Sequence, residues 1–362
     1  MLETYMKIAI AQAKKARGRV SPNPLVGAVV VKKGEVVGLG YHRRAGSPHA
    51  EVNALVHAGK KARNADLFVT LEPCSHYGRT PPCVDTIIQN KVKNVIIGMT
   101  DPNPLVAGKG IARLKRAGIG VKTGVLEEEC KKLNEVFVKY ITRKTPFVIL
   151  KVASTLDGNI ATQTGDSRGI TCRKSLCLVH QLRDQVDAIM VGIGTVKADN
   201  PLLTTRLKGK RGKDPIRIIV DSSLSISPRA KVFNPGSEAD VIIATTNRAP
   251  FRKRKQLEQM GARVITVAPK AGGVDLKRLM RDLGKLEITS ILLEGGTRLT
   301  TSALNEKIVD KIFFFYAPKI LCGRSVHGIT AGAGVGRIKQ ALKVRDLTVR
   351  KSGDDVLVEG YL

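Results

Sequence analysis

Residues 70–83 read TLEPCSHYGRTPPC, and residues 49–51 read HAE at the start of a helical pattern. One imidazole and two thiolates suit zinc, because His49, Cys74 and Cys83 supply three protein ligands and leave the fourth tetrahedral position to water. The metal lowers the pKa of such a water to about 7, so hydroxide becomes available at neutral pH. The two segments therefore predict a catalytic zinc site.

A carboxylate stands close to this site. Glu51 lies two residues after His49, so on a helix it points aside from the ligand and still reaches the zinc-bound water. It can take a proton from that water and deliver it to a ring nitrogen and to departing ammonia, which predicts the acid/base of a deaminase. The H-x-E and P-C arrangement is typical of zinc nucleobase deaminases, which usually have two residues between the cysteines, whereas eight lie between them here.

Around the motif, short apolar runs alternate with helical patterns, as in a layered α/β sheet. We expect strands over 26–31, 35–40, 66–71 and 94–99. One amphipathic helix is expected over 126–142, and the basic stretch after it ends at Pro146. We place the domain boundary there, with a first domain over 1–145 and a second over 146–362.

The second half again alternates strand and helix patterns. The segment ILLEGGTRLTTSAL (291–304) runs from a buried strand through two glycines into a helix. Glycines allow close backbone approach, and the free amides of a helix N-terminus attract phosphate. The G-x-G-x-x-G of a Rossmann domain is missing, so a dinucleotide would be held differently.

Composition fits a soluble globular protein, with 43% hydrophobic and 25% charged residues. The net charge of +30 is spread evenly, with 25 basic and 11 acidic residues in 1–145 and 36 and 20 in the rest. We interpret it as a basic surface that attracts anionic small molecules, and expect no nucleic-acid partner. The apolar runs and the N-terminal pattern indicate no membrane partner and a cytoplasmic location, where the six cysteines favour metal binding or burial over disulfides.

Several segments resemble the bifunctional riboflavin-biosynthesis deaminase/reductase family. Besides 70–83, they are SPNPLVGAVVV (21–31), DPNPLVAGKGIARLKRAGI (101–119), KVASTLDGNIA (151–161), MVGIGTVKADNPLLTTR (190–206) and LLEGGTRL (292–299). The resemblance covers nearly the whole chain. It implies a cytidine-deaminase-like α/β/α first domain, a dihydrofolate-reductase-like α/β second domain, and the cofactors Zn²⁺ and NADPH.

The resemblance also implies roles for single residues. It makes His49, Cys74 and Cys83 zinc ligands, Glu51 the acid/base and Asn23 a pyrimidine ligand. The residues implied to contact NADPH are Ala153, Gly169, Thr195, Asp199, Ser222 and Gly296. Those implied to contact substrate are Ser167, Arg183, Leu203, Arg206 and Glu294.

The side-chain chemistry of these positions bears on the implied roles. Arg183 and Arg206 suit a phosphate ester, because a guanidinium fork matches its oxygens. Gly169 stands where family members often carry an aromatic residue, so this chain departs from the family at the position where a ring would stack on the cofactor. Lys151 and Asp199 are candidates for aiding hydride transfer, although Lys151 could equally be a structural partner. For His180 and the other histidines outside the motifs, we favour packing or surface positions.

The resemblance implies that the first domain deaminates 2,5-diamino-6-(5-phosphoribosylamino)pyrimidin-4-one by zinc hydroxide. The second would then reduce the ribosyl group with NADPH, giving 5-amino-6-(5-phosphoribitylamino)uracil. We therefore expect a phosphorylated pyrimidine as substrate, and a homo-oligomer. The alternatives are an RNA-editing zinc deaminase with a nucleic-acid-binding second domain, which the charge suggests, and a catalytically silent scaffold. The aromatic content of 4% counts against the former, because stacking on bases needs aromatic rings.

Overall fold

A computed structural model describes residues 1–75, 81–104, 106–209, 212–233, 236–322 and 327–362. The chain divides into a first unit, Met1–Lys144, and a second unit, Thr145–Leu362. The boundary expected from the sequence lay between residues 145 and 146. The helix Glu135–Arg143 ends at Lys144, which has the left-handed conformation, and Pro146 follows two residues later. Such a cap followed by proline is a common way to terminate a helix.

The first unit is a sheet of β2-β1-β3-β4-β5 with helices packed against it, and β1 runs antiparallel to β2 and β3 while β3, β4 and β5 are parallel. Its strands are β1 (Gly27–Lys32), β2 (Glu35–Tyr41), β3 (Asp66–Leu71), β4 (Asn94–Met99) and β5 (Gly120–Thr123). Its helices are α1 (Leu2–Lys14), α2 (Ala50–Ala58), α3 (Cys83–Gln89), α4 (Lys109–Arg116), α5 (Glu127–Leu133) and α6 (Glu135–Arg143).

Glycines let α1 and α2 lie at backbone-contact distance from this sheet. A Cβ placed on Gly27 would come within 2.0 Å of the Ala9 carbonyl oxygen. On β2, a Cβ at Gly38 or Gly40 would lie 2.3 or 2.2 Å from a carbonyl oxygen of α2. Any larger residue would push the helix away, so these glycines set the position of α2.

The expected single helix over 126–142 is wrong. The segment forms α5 and α6, and the break falls at Asn134, which is 2% exposed. Its side chain donates to the Leu25 carbonyl oxygen at 3.0 Å and accepts from the Leu25 N–H at 2.8 Å. The break between the two helices therefore coincides with hydrogen bonds between two residues that are 109 positions apart in sequence. Helical periodicity cannot reveal such a contact.

The second unit is a larger sheet of β10-β9-β8-β7-β13-β6-β14-β16-β15, parallel from β10 to β14 and antiparallel at the β14-β16-β15 edge. The strands of this sheet are β6 (Phe147–Thr155), β7 (Ala188–Gly192), β8 (Ile216–Val220), β9 (Val241–Thr245), β10 (Arg263–Thr266), β13 (Ser290–Leu293), β14 (Lys311–Ala317), β15 (Arg345–Ser352) and β16 (Asp355–Tyr361). The short strands β11 (Pro269–Lys270) and β12 (Gly273–Val274) form a separate two-stranded sheet. The helices of the second unit are α7 (Arg173–Gln185), α8 (Ile193–Asp199), α9 (Phe251–Gln259), α10 (Leu276–Lys285) and α11 (Thr297–Asn305).

Both faces of the parallel part of this sheet are buried. Along β7, Ala188 and Met190 join one apolar cluster, while Ile189 and Val191 join another. Side chains alternate between the faces of a strand, so the nearly continuous apolar runs of the sequence reflect cover on both sides. None of the helices described is both long enough and apolar enough to span a membrane.

Candidate active sites

Three metal-ligand side chains meet where α2 and α3 begin. His49 is the residue that precedes α2, Cys83 opens α3, and Cys74 lies in the loop after β3. Their ligand atoms all lie within 4.8 Å of one another. His49 Nδ1 is 3.1 Å from Cys83 Sγ and 3.6 Å from Cys74 Sγ. One nitrogen and two sulfur atoms converging in this way fit the donor set of a zinc site.

The loop is arranged to hold a thiolate. A hydrogen bond from the Cys83 thiol is the main reason that the pKa of Cys74 is lowered to about 4. The Cys83 backbone N–H also donates to Cys74 Sγ, at 3.3 Å. Hydrogen bonding with Cys74 raises the pKa of His49. Because the thiolate is the form that binds metal, this arrangement favours a cation at the cluster.

Glu51 lies beside the ligand cluster in the first turn of α2. It is 3% exposed, and burial raises the pKa of its carboxyl group to about 7. A carboxyl group that titrates near neutral pH can both accept and release a proton there. Glu51 is therefore a buried carboxyl group beside the ligand cluster that titrates near neutral pH.

Asn23 reaches the cluster through His42. Asn23 Nδ2 lies 3.1 Å from His42 Nε2, and His42 Nδ1 lies 3.3 Å from the Pro48 carbonyl oxygen. The rings of His42 and His49 meet edge to face, with centroids 5.2 Å apart. Burial lowers the pKa of His42, which is 2% exposed. Asn23 therefore lies one side chain, that of His42, away from His49.

Sequence reasoning overlooked Glu72, which is 4% exposed and ties the Cys74 loop to the segment after β4. Its carboxylate accepts backbone hydrogen bonds of 2.9–3.2 Å from Asp101, Gly108, Gly110 and Ile111. A Cβ on Gly110 would lie 2.1 Å from the Pro73 carbonyl oxygen, so the two segments touch through backbone. The signal in the sequence that could have identified Glu72 is its place as an acidic residue between a buried strand and the Pro-Cys pair.

In the second unit, three predicted residues form one ion cluster. Glu294 follows β13, and its carboxylate accepts hydrogen bonds from Arg183 Nε at 2.7 Å and from Arg183 Nη2 at 3.1 Å. It also accepts one from Lys151 Nζ at 3.3 Å. Burial by itself raises the pKa of Glu294, but Lys151 and Arg183 lower it to about 2. Arg183 Nη1 donates to the Thr204 carbonyl oxygen at 3.0 Å. The edge of Arg183 that would grip a phosphate bidentately is therefore already held by Glu294.

Arg206 pairs with a histidine that the sequence analysis assigned to packing or surface. The Arg206 backbone N–H donates to His180 Nδ1 at 3.2 Å, and its Nη2 lies 3.4 Å from His180 Nε2. His180 lies three residues before Arg183 on α7, so both side chains lie on one face of that helix. That spacing was the signal in the sequence that could have found it.

The residues expected at NADPH lie mostly at the carboxyl ends of parallel strands. Thr195 lies in α8 after β7, Ser222 follows β8, and Gly296 precedes α11 after β13. A Cβ on Gly296 would lie 3.5 Å from Thr195 Oγ1, so these two are neighbours. Ala153 is half-buried on β6. Carboxyl ends of strands are where ligands bind in open α/β sheets.

Other expected residues are less closely tied to these clusters. Leu203 has its side chain buried in an apolar cluster, so a substrate could meet only its backbone. Asp199 is exposed at the end of α8. Ser167 and Gly169 lie between β6 and α7, where Gly169 has a φ of +67° and its carbonyl oxygen accepts from Lys319 Nζ. No aromatic ring can stack from Gly169.

Comparison with known families defines the class of protein. The family described as the cytidine and deoxycytidylate deaminase zinc-binding region matches residues 1–99, and the RibD C-terminal domain matches residues 146–358. With the zinc-ligand cluster, these matches define a bifunctional enzyme that joins a zinc-binding deaminase to a reductase. The chain belongs to the RibD family of riboflavin-biosynthesis enzymes. We refer below to the first unit as the deaminase domain and to the second as the reductase domain.

Individual relatives match over almost their full length. The riboflavin biosynthesis protein RibD of Aquifex aeolicus is 46% identical over 357 residues, which cover 98% of this chain and 97% of the relative. That of Escherichia coli K12 is 39% identical, with 98% and 97% covered. A Thermotoga maritima structure has a TM-score of 0.85 and 41% identity, with 99% and 98% covered. Because both domains match, the RNA-editing alternative is not favoured.

Proposed function

We propose that this chain deaminates diaminohydroxyphosphoribosylaminopyrimidine and then reduces 5-amino-6-(5-phosphoribosylamino)uracil, the two activities named for the Thermotoga maritima protein. The product would be 5-amino-6-(5-phosphoribitylamino)uracil. The convergence of His49, Cys74 and Cys83 beside the buried Glu51 is the observation that carries the proposal.

For deamination, zinc bound by the three ligands would supply a water of lowered pKa as nucleophile. Glu51 would take a proton from the attacking water and deliver it to the ring nitrogen, and it would then carry the proton of the newly added hydroxyl group to the amino group, which leaves as ammonia. Asn23 binds the pyrimidine from the side of His42. The support for Asn23 is its place one side chain away from His49.

For reduction, NADPH would supply the hydride. Thr195, Ser222, Gly296 and Ala153 hold the dinucleotide at the carboxyl ends of the parallel strands, a proposal supported by their positions there. Lys151, fixed by Glu294, assists the hydride transfer as a cation and proton donor. Asp199 is the weaker candidate for this role because it is exposed and outside the ion cluster. Rates with NADPH and NADH at equal concentration test the choice of cofactor.

A mixing experiment tests both activities together. Glu51→Gln protein should reduce but not deaminate, whereas Arg206→Ala protein should deaminate but bind the phosphorylated intermediate poorly. Losing a charge-assisted contact costs about 1.5–3 kcal/mol, or roughly tenfold to more than a hundredfold in binding. The mixture should restore overall conversion, with a lag that shortens as protein concentration rises. An inactive mixture of variants that each keep one activity would contradict independent sites.

We also propose a cytoplasmic homo-oligomer. A reducing compartment keeps the thiolates of Cys74 and Cys83 available to zinc. Strand β15 supports self-association, because it is an edge strand on which Leu347 and Val349 are 55% and 60% exposed. Sedimentation of the wild-type protein and of a Leu347→Lys variant tests this, and a wild-type monomer at micromolar concentration would contradict it.

A further inference from the structure

The loop between β6 and α7 carries Ser167 and Gly169, two of the residues expected at the reductase site. It leaves the sheet directly beside the segment that follows β14, because β6 and β14 are neighbouring parallel strands whose last residues, Thr155 and Ala317, pair with each other. Ala153, which is expected at NADPH, lies two residues before that edge. Both segments therefore start at the edge of the sheet where ligands of open α/β sheets bind.

The carboxylate of Asp157 joins these two segments. Its Oδ2 accepts the backbone N–H of Leu321 at 3.2 Å and the backbone N–H of Cys322, also at 3.2 Å. The Asn159 side chain donates to the same oxygen at 3.0 Å. Hydrogen bonds to an ionised acceptor are stronger than those between neutral groups. One exposed side chain thus fixes the turn after β6 to the segment after β14.

Lys319 ties the same two segments together at two further points. Its backbone carbonyl oxygen accepts from the Leu156 N–H at 2.9 Å, at the beginning of the β6–α7 loop. Its side-chain Nζ donates to the carbonyl oxygen of Gly169, much further along that loop. The position of Gly169 therefore depends on where the segment after β14 lies, and Asp157 helps to hold that segment.

The segment after β14 is also bonded to the start of α11. The Gly328 carbonyl oxygen accepts from Thr297 Oγ1 at 2.6 Å, and Thr297 is the first residue of α11, directly after Gly296. Gly328 pairs in addition with Asn159 through an antiparallel bridge. The turn after β6 is thereby connected through Gly328 to the helix start at which the dinucleotide is expected.

We propose that Asp157 and Thr297 are positioning residues of the reductase site, which hold the β6–α7 loop and the start of α11 in the arrangement that retains NADPH. This rests on the proposed function, which assigns NADPH contacts to Ala153, Gly169 and Gly296. Ordering a loop during binding costs free energy, so a loop that the chain already holds binds its ligand more tightly and releases it more slowly. Asp157 thus acts on the cofactor only through the loop.

Two substitutions of Asp157 test this role. Asp157→Ala removes the acceptor of both N–H groups, whereas Asp157→Asn keeps an oxygen acceptor and loses the charge. We expect the NADPH dissociation rate and the KM for NADPH to rise about tenfold in Asp157→Ala, and at most about threefold in Asp157→Asn. At saturating NADPH, kcat should stay within about twofold of wild type, because the groups that react are untouched. Asp354→Ala, at an exposed aspartate in the turn between β15 and β16, is the matched control.

The measurement follows the emission of NADPH itself as an excess of NADP⁺ displaces it from the full-length protein. The chain has no tryptophan, so the protein contributes little competing emission. Thermal unfolding of each variant is recorded in parallel. A merely structural role would lower the melting temperature and leave NADPH release unchanged, and that result in Asp157→Ala would overturn the proposal for Asp157.

Thr297 provides a second, independent test. Thr297→Val keeps the shape of the side chain and removes the hydroxyl donor to Gly328, so NADPH release should again accelerate, by about threefold or more. Thr297→Ser keeps the hydroxyl group and should release NADPH as wild type does. Equal release rates in Thr297→Val and Thr297→Ser would overturn the role of Thr297.

The wild-type protein separates the two levels of inference. If it binds NADPH and neither Asp157→Ala nor Thr297→Val changes the release rate, the positioning role fails and the proposed function stands. If the wild-type protein does not bind NADPH, the proposed function fails at its cofactor, and the positioning role fails with it.

Discussion

The two candidate active sites differ in what balances their polar groups. In the deaminase domain, the ligand atoms of His49, Cys74 and Cys83 lie within 4.8 Å of one another and form the donor set of a metal site. In the reductase domain, Lys151 and Arg183 already neutralise Glu294. The first arrangement needs a metal to be complete, whereas the second is organised by the chain itself.

This difference predicts different sensitivities. Binding energy at a metal site is also folding energy, because the unfolded chain does not present the ligands together. A buried ion cluster gains little over apolar packing, but it becomes costly when one partner is removed. The deaminase domain should therefore respond to metal supply, and the reductase domain to substitution and to acid.

Removal of a ligand should have the largest effect. Cys83→Ser should lose zinc and deaminase activity and lower the melting temperature of the deaminase domain, with reductase activity kept. Structural zinc sites contribute about 10–16 kcal/mol of binding free energy, so most of the metal-linked stability is at stake. Metal analysis and calorimetry measure both effects. Cys130→Ser, at a buried cysteine outside the cluster, is the control and should keep zinc. Full zinc in Cys83→Ser would remove Cys83 from the ligand set.

The next largest effect concerns chemistry without metal loss. Glu51→Gln should keep its zinc and lose about 10²–10⁴ in deamination rate, because a general acid/base contributes about that factor. Reduction of the deaminated substrate should persist. Glu35→Gln, at an exposed glutamate of the same domain, is the control for both rates. A near-normal deamination rate in Glu51→Gln would show that another group moves the proton.

The reductase cluster should be sensitive to removal of its central charge. Glu294→Gln removes the carboxylate that pairs with both Lys151 and Arg183, and breaking a buried pair costs about 3–5 kcal/mol. The pKa of about 2 for Glu294 lies below its unfolded value, so its contribution is full above roughly pH 4.3 and declines as pH falls toward 2. Acid unfolding of the reductase domain should therefore be less steep in the variant. Glu287→Gln, at an exposed glutamate, should behave as wild type, and an unchanged acid profile in Glu294→Gln would contradict the ion cluster.

A smaller effect is expected at Glu72, a buried carboxylate of the deaminase domain whose partners are backbone N–H groups. Glu72→Gln replaces an oxygen that accepts backbone N–H groups with a donor, which should cost about 1.5–3 kcal/mol. Thermal unfolding and zinc occupancy of the deaminase domain should both fall, while reductase activity holds. Glu129→Gln is the exposed control. Unchanged thermal unfolding and full zinc occupancy in Glu72→Gln would show that its hydrogen bonds are dispensable.

Local chemistry made much of the deaminase site predictable. The strands over 66–71 and 94–99 have the expected bounds, because continuous apolar runs end at polar or turn residues. His49 and Cys83 fall at the starts of helices, where the sequence pattern changes from extended to helical. The zinc site itself was predicted from the types of its ligand residues and from their order along the chain.

Long-range contacts account for what was missed. The break at Asn134 depends on Leu25, and the role of Glu72 depends on backbone groups of residues 101–111. Neither partner can be inferred from spacing. The ion pair between Arg183 and Glu294, which are 111 residues apart in sequence, is likewise visible only in the structure. Sequence gives the donors and acceptors, but the pairing among them needs the fold.

The glycines beneath α2 bear on how this domain could change over evolution. Because a Cβ on Gly38 or Gly40 would clash with the backbone of α2, the position of the helix that carries Glu51 depends on these two residues staying glycine. Selection or design for a new base would therefore find variation in the loops around Asn23 and after Cys74, and not in the helix. A library that randomises those loops should yield folded, zinc-bound variants far more often than one that randomises Gly38 and Gly40.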